Sequence, residues 1–207
     1  MPARHPSKQS GFTLVEILVA LALGLLVVGA AFGYFLSTLQ TSKSLLSQSK
    51  LQQDIRSTTT LMQRDIRRAG YRPESSTAAT KTTVGTVWVG KTVSSLAKDN
   101  CIIYRYVDER ANLRNSGFLL HTDGKIYMKT AGTDNTCSLS SDWSEVTSAR
   151  NVEITSFQID YFGNGNRPRV LISLESRLSN DITVKLPINL QIVLPNAPNS
   201  GSVTSGT

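Results

Sequence analysis

The feature that most constrains this chain is a run of twenty residues, 17–36, that contains no charged side chain. As an α-helix, a run of this length extends over about 30 Å, which matches the hydrocarbon thickness of a bilayer. Glycines at 24, 29 and 33 interrupt the run, and glycine in membrane helices allows close helix packing. The run therefore predicts a membrane-spanning helix near the N-terminus.

The segment before this run is short, polar and basic, and Arg4 and Lys8 lie in it. A basic flank on the N-terminal side favours an orientation with the N-terminus in the cytoplasm and the remainder outside. The two residues supply part of a net charge of +7. The rest of this surplus permits weak attraction to nucleic acid, and a solvated basic face is the alternative interpretation.

After the uncharged run the pattern becomes that of an amphipathic helix. Leu51, Ile55, Met62 and Ile66 recur at helical spacing, and charged residues occupy the other faces. Gly70 suits the position just after a helix, and the proline at 73 prevents continuation. The two patterns predict one long helix with an apolar part at 12–36 and an amphipathic part at 37–72.

The remainder of the chain is rich in β-forming residues. The predicted strands are 84–89, 101–107, 118–121, 125–129, 152–162, 169–176 and 184–194. Residues 122–124 and 163–166 have the composition of hairpin turns, and Pro187 indicates an edge strand or a later strand start. The fold class is therefore α+β, with an antiparallel β-sheet head domain at 73–195 and a disordered tail at 196–207.

The two cysteines, Cys101 and Cys137, both fall in the part predicted to lie outside the cytoplasm. An even number of cysteines in an oxidising compartment favours a disulfide between them. Two buried free thiols are the alternative. The two cysteines are too far apart in sequence for a zinc site, and they lack the further cysteine or histidine ligands that zinc requires.

A single carboxylate, Glu16, stands at the head of the apolar run, in the sequence KQSGFTLVE. An ionised, unpaired carboxylate at depth in a membrane costs on the order of a few kcal/mol. The sequence therefore predicts a partner for Glu16.

This stretch resembles the class III signal of type IV prepilins, in which a glycine, an aromatic residue and a glutamate precede an apolar helix. The resemblance implies that a prepilin peptidase cuts between Gly11 and Phe12, removing the leader 1–11, and methylates the new N-terminus at Phe12. Glu16 would then pair with the N-terminal amine of a neighbouring subunit, because opposite charges attract strongly at low dielectric constant. Unlike many major pilins, the chain has Gly33 in place of a proline midway along the apolar helix.

Two other interpretations of this stretch stay open at the sequence level. One is a plain signal-anchor helix with a chance glutamate. The other is a secretory signal cut after Gly29-Ala30-Ala31, which has the small residues that signal peptidase prefers. That alternative leaves Glu16 unexplained.

Residues 51–72, which end in RDIRRAGYR, resemble PilW-type minor pilins and, more distantly, the J-type minor pseudopilins of type II secretion. Generic helix capping is the alternative interpretation of this arginine-rich ending. The two resemblances cover the first 72 residues, and they imply a pilin-like fold.

No pattern in the sequence indicates an enzyme. His5 and His121 are the only histidines, and a histidine without a carboxylate and nucleophile partner does not make a catalytic triad. Asp123-Gly124 and Asp134-Asn135 are typical of turns, and calcium binding there is the weaker alternative, since they lack the run of carboxylates that calcium prefers. We therefore predict no catalytic residue, metal or cofactor.

The resemblances imply a minor pilin that helps to initiate or cap a type IV pilus, with roles in adhesion or motility. The partners expected are the prepilin peptidase, minor and major pilins, and the assembly platform of the inner membrane. The chain would be a single-pass inner-membrane protein, with its head periplasmic, before it enters the pilus. The alternatives are a minor pseudopilin of type II secretion and a tip adhesin or DNA-contacting subunit.

Overall fold

A computed structural model describes residues 11–74, 84, 86–92, 99–147, 152–163, 167–179 and 181–197. The chain divides into two compact units, Met1–Leu46 and Ser47–Thr207. One helix, α1, runs from Leu14 to Ile66. Most of the predicted tail, residues 198–207, lies outside the described residues.

The second unit, which we term the head, contains the last part of α1. The predicted stripe of Leu51, Ile55, Met62 and Ile66 is buried, because it covers the apolar faces of the sheets. The α-helix ends at Ile66, before the predicted end at residue 72, and turns continue to Gly70. Gly70 has a positive φ of 78°, which is the left-handed conformation expected of a glycine after a helix.

Two antiparallel sheets make up the rest of the head, with orders β1-β2-β3-β4-β5 and β6-β7-β8. The strands are β1 Val87–Gly90, β2 Cys101–Val107, β3 Leu113–Leu120, β4 Ile126–Lys129, β5 Trp143–Glu145, β6 Val152–Phe162, β7 Arg169–Leu178 and β8 Lys185–Val193. The predicted α+β architecture is confirmed.

Several local predictions agree with this topology. Gly124, with φ 75°, lies in the turn between β3 and β4. Pro187 lies in β8, which is an edge strand of its sheet, where a residue without an N–H is tolerated. The predictions missed β5, a strand of three residues, because so short a segment has little period-2 pattern.

The head has a large core between α1 and the two sheets, to which every described strand except β5 contributes buried residues. A smaller apolar cluster lies apart from it. Its buried members are Trp88, Cys101, Ile103, Leu119, Cys137 and Trp143. The residues of β2 alternate between the two clusters, because successive side chains of a strand point to opposite faces.

Candidate functional site

The start of α1 is stabilised by its own sequence. Thr13 precedes the first helical residue, and its side-chain Oγ1 accepts a hydrogen bond of 3.3 Å from the backbone N–H of Glu16. Threonine followed three residues later by glutamate is the capping-box sequence. A carboxylate in the first turn also interacts favourably with the positive end of the helix dipole. The sequence analysis missed this capping role, although the three-residue spacing of Thr13 and Glu16 indicates it.

Residues 14–46 of α1 have no covering in the first unit, and the uncharged run 17–36 among them is apolar. All of these residues are exposed, and the side chain of Phe12 just before them is also exposed. Among the described residues, α1 alone is long and apolar enough to cross a membrane. An apolar helix exposed on every side requires a membrane or other apolar helices around it.

A buried carboxylate attaches the end of α1 to the five-stranded sheet. Asp65 is 5% exposed, and it accepts hydrogen bonds from the hydroxyls of Tyr104 and Ser116. The Ser116 bond measures 2.6 Å. Burial, together with the charge of Asp65, raises the pKa of the Tyr104 hydroxyl well above its usual value, so that it stays protonated as a donor.

The residues that follow Asp65 extend this attachment. Arg68 forms an ion pair of 3.2 Å with Asp65 and places its guanidinium 4.0 Å from the ring centroid of Tyr106. The backbone N–H of Gly70 donates to the carbonyl of Arg105, at 2.8 Å. A side chain at Gly70 would collide with the backbone of Asn196. The arginine-rich ending therefore docks the helix on the sheet, which helix capping alone does not explain.

The smaller cluster is closed by a cross-link and a buried cation. Cys101 and Cys137 are joined by a disulfide. The side chain of Lys129 is fully buried, with its Nζ 2.9 Å from Asp134 and 3.8 Å from Asp142. Hydrogen bonds from Thr136 and Lys129 lower the pKa of Asp134 to about 2. These contacts fix the segment that connects β4 and β5.

We expect that replacing both Cys101 and Cys137 with alanine will lower the free energy of unfolding by about 3–4 kcal/mol. The bond closes a loop with a sequence separation of 36, and loop entropy in the unfolded chain sets the size of the effect. Urea unfolding followed by tryptophan fluorescence measures it. Thiol labelling of the denatured, unreduced wild-type chain is the control, and two labelled thiols would contradict the disulfide.

The described residues contain no group of three or more His, Cys, Asp or Glu side chains placed to hold a metal. Nδ1 of His121 lies 3.3 Å from Asp123, beside the β3–β4 turn. This pair is a surface contact and lacks a nucleophile.

Comparisons with known proteins find matches for the start of the chain and for its head. Residues 6–32 match the prokaryotic N-terminal methylation motif. Residues 44–194 match the family described as prepilin peptidase-dependent protein B. The chain belongs to the prepilin peptidase-dependent protein B family. It is therefore a prepilin-type protein with a pilin or pseudopilin role, which is that of a structural subunit and not of an enzyme.

The chain is also similar to the pilin-like protein PilA3 of Thermus thermophilus, with 37% identity over 62 residues. This match covers 30% of the chain and only 27% of PilA3. No solved structure matches the chain. Family membership and the apolar α1 suit a single-pass inner-membrane anchor.

Proposed function

We propose that this prepilin is a minor pilin that helps to initiate or cap a type IV pilus at its tip. The peptidase cuts between Gly11 and Phe12, and Phe12 becomes the methylated N-terminus. Residues 12–36 anchor the subunit in the inner membrane with the head in the periplasm. The assembly platform then transfers it into the filament, where Glu16 pairs with the amine of a neighbouring subunit.

The observation that carries this proposal is the combination of one carboxylate with an apolar helix exposed on every side. Residues 14–46 are uncovered in their own unit, and Glu16 lies in the first turn of the helix. Packing among such helices covers the apolar surface, and the pairing of Glu16 with an amine offsets part of the desolvation of both charges. The ending RDIRRAGY at 64–71 supports the minor-pilin subtype through its resemblance to PilW-type minor pilins.

Replacing Gly11 with a bulky residue such as leucine is expected to block cleavage completely. The cut requires a small residue at its amino side, so the uncut precursor should remain in the membrane fraction. Intact mass spectrometry of the membrane form distinguishes the precursor from a chain that starts at N-methyl-Phe12. Gly24→Leu is the matched control, because Gly24 lies in the helix that follows the cleavage site and, like Gly11, has open space around it.

Two results would contradict the proposal in different ways. A mature wild-type chain that starts at residue 32 would establish a secretory signal and remove the pilin-type anchor. A chain that starts at Phe12 but is absent from sheared pili, in a strain whose protein secretion fails without it, would assign the subunit to type II secretion.

A further inference from the structure

Four exposed cations lie along one side of the last part of α1 and of the turn that follows it. Lys50, Arg56, Arg64 and Arg67 are all exposed, and at about 100° per residue they fall within an arc of about 120°. None of the four forms an ion pair with a carboxylate among the described residues. We term these four side chains the basic stripe.

The acidic residues of this part of the helix lie outside the basic stripe. Asp65 is buried and accepts hydrogen bonds from Tyr104 and Ser116. Asp54 is partly buried and lies four residues after Lys50, between the basic stripe and the covered side of the helix. Solvated helix faces usually mix the two signs, since neighbouring opposite charges stabilise the helix and like charges destabilise it. Arg64 and Arg67 are three residues apart, a spacing at which like charges destabilise a helix, and an acidic partner would relieve this cost.

The centre of the basic stripe is suited to close packing. The hydroxyl of Ser57 donates to the carbonyl of Asp54 at 2.9 Å, and that of Thr60 donates to the carbonyl of Arg56 at 2.7 Å. Because both hydroxyls already have partners, covering them costs little desolvation. Leu61 beside them is 37% exposed. A second helix can therefore pack on this centre while the cations flank it.

We propose that the basic stripe is the docking surface for an acidic helix face on a different pilin-like subunit. This inference rests on the proposed function, because it assumes packing between pilin helices. Two copies of this chain would bring like charges together, which disfavours self-association and selects another partner. The subunit would then enter a filament beside an acidic neighbour and would not form a homopolymer, in agreement with a minor pilin.

A lipid surface fits the basic stripe less well than a helix does. Arg56, Arg64 and Arg67 follow the uncharged run 17–36 by twenty residues or more, whereas the surface potential of a membrane decays within a Debye length of about 10 Å.

Cross-linking between charge variants tests the pairing. The probe is a copy of the full chain with K50E, R56E, R64E and R67E, and both it and the wild-type chain carry Thr60→Cys. A bismaleimide reacts only with the introduced thiol, because both native cysteines are in the disulfide. In detergent at low salt, we expect the mixed pair to exceed either self-pair at least about tenfold. The excess should vanish near 1 M salt, where the Debye length is about 3 Å.

The matched control reverses two exposed arginines at the start of β7, Arg167 and Arg169. A copy with R167E and R169E should show no preference for the wild-type chain, whereas one with R64E and R67E should show it. Equal yields of mixed and self pairs would overturn the proposal. It would also be overturned if the copy with R167E and R169E showed the same preference for the wild-type chain as the copy with R64E and R67E. The proposal would also be overturned if the wild-type chain bound duplex DNA or phosphatidylglycerol vesicles more tightly than it bound the charge-reversed copy.

A measurement in cells separates this inference from the proposed function. In a strain that lacks the chain, the R64E and R67E variant should enter sheared pili at least about tenfold less than the R167E and R169E variant. Equal entry would overturn the docking surface while leaving the minor-pilin assignment. Absence of the wild-type chain from pili would instead refute the minor-pilin assignment, and the cross-linking result would still decide the charge preference.

Discussion

Replacing Glu16 with alanine is expected to give a protein that is inserted and cleaved but enters pili at least about a hundredfold less efficiently. Under the proposed pairing, the substitution would leave the amine of the neighbouring subunit buried without its partner, and breaking a buried pair typically costs about 3–5 kcal/mol. A loss of about 2.8 kcal/mol already corresponds to a factor of a hundred. The measurement is the ratio of the protein in sheared pili to that in the inner membrane.

The structure supplies a control for this experiment. Thr13→Ala removes the side-chain acceptor that caps the N–H of Glu16, but it keeps the carboxylate. Loss of a cap costs about 1 kcal/mol, so this variant should still enter pili well. Equal defects in the two variants would mean that helix capping explains the role of Glu16, and an unchanged ratio for Glu16→Ala would refute the pairing.

Asp65→Ala is expected to lower the free energy of unfolding of the head by about 3–6 kcal/mol. It removes the charged acceptor of two buried hydroxyls, those of Tyr104 and Ser116, and each such bond is worth about 1.5–3 kcal/mol. The ion pair with Arg68 adds little, because the arginine side chain is 46% exposed. Urea unfolding of the full chain in detergent, followed by the fluorescence of the two buried tryptophans, measures the change.

Asp54→Ala is the matched control for Asp65→Ala. Asp54 lies on the same helix and is partly buried, but its carboxylate forms no hydrogen bond or ion pair within the described residues. We expect it to change the free energy of unfolding by less than about 0.5 kcal/mol. Similar losses in the two variants would show that helix charge, and not the buried network, accounts for the effect of Asp65.

The N-terminal helix and its processing signal depend on local sequence, and the sequence was sufficient to predict them. The uncharged run 17–36 specifies an apolar helix whatever follows it, because every face of that helix is apolar. Gly11, Phe12 and Glu16 lie close together in sequence, so their spacing needs no tertiary contact. The buried stripe of the head helix was predictable for the same reason, since helical periodicity fixes which side chains share a face.

The tertiary structure decided which polar residues of the head act together. Asp65, Tyr104 and Ser116 are distant in sequence, and only the docking of α1 on β2 and β3 brings their side chains into contact. The buried Lys129 likewise depends on the connection between β4 and β5, which the disulfide to β2 holds in place. Sequence patterns report which face a residue shares with its neighbours, but they carry no information on which distant strand covers that face.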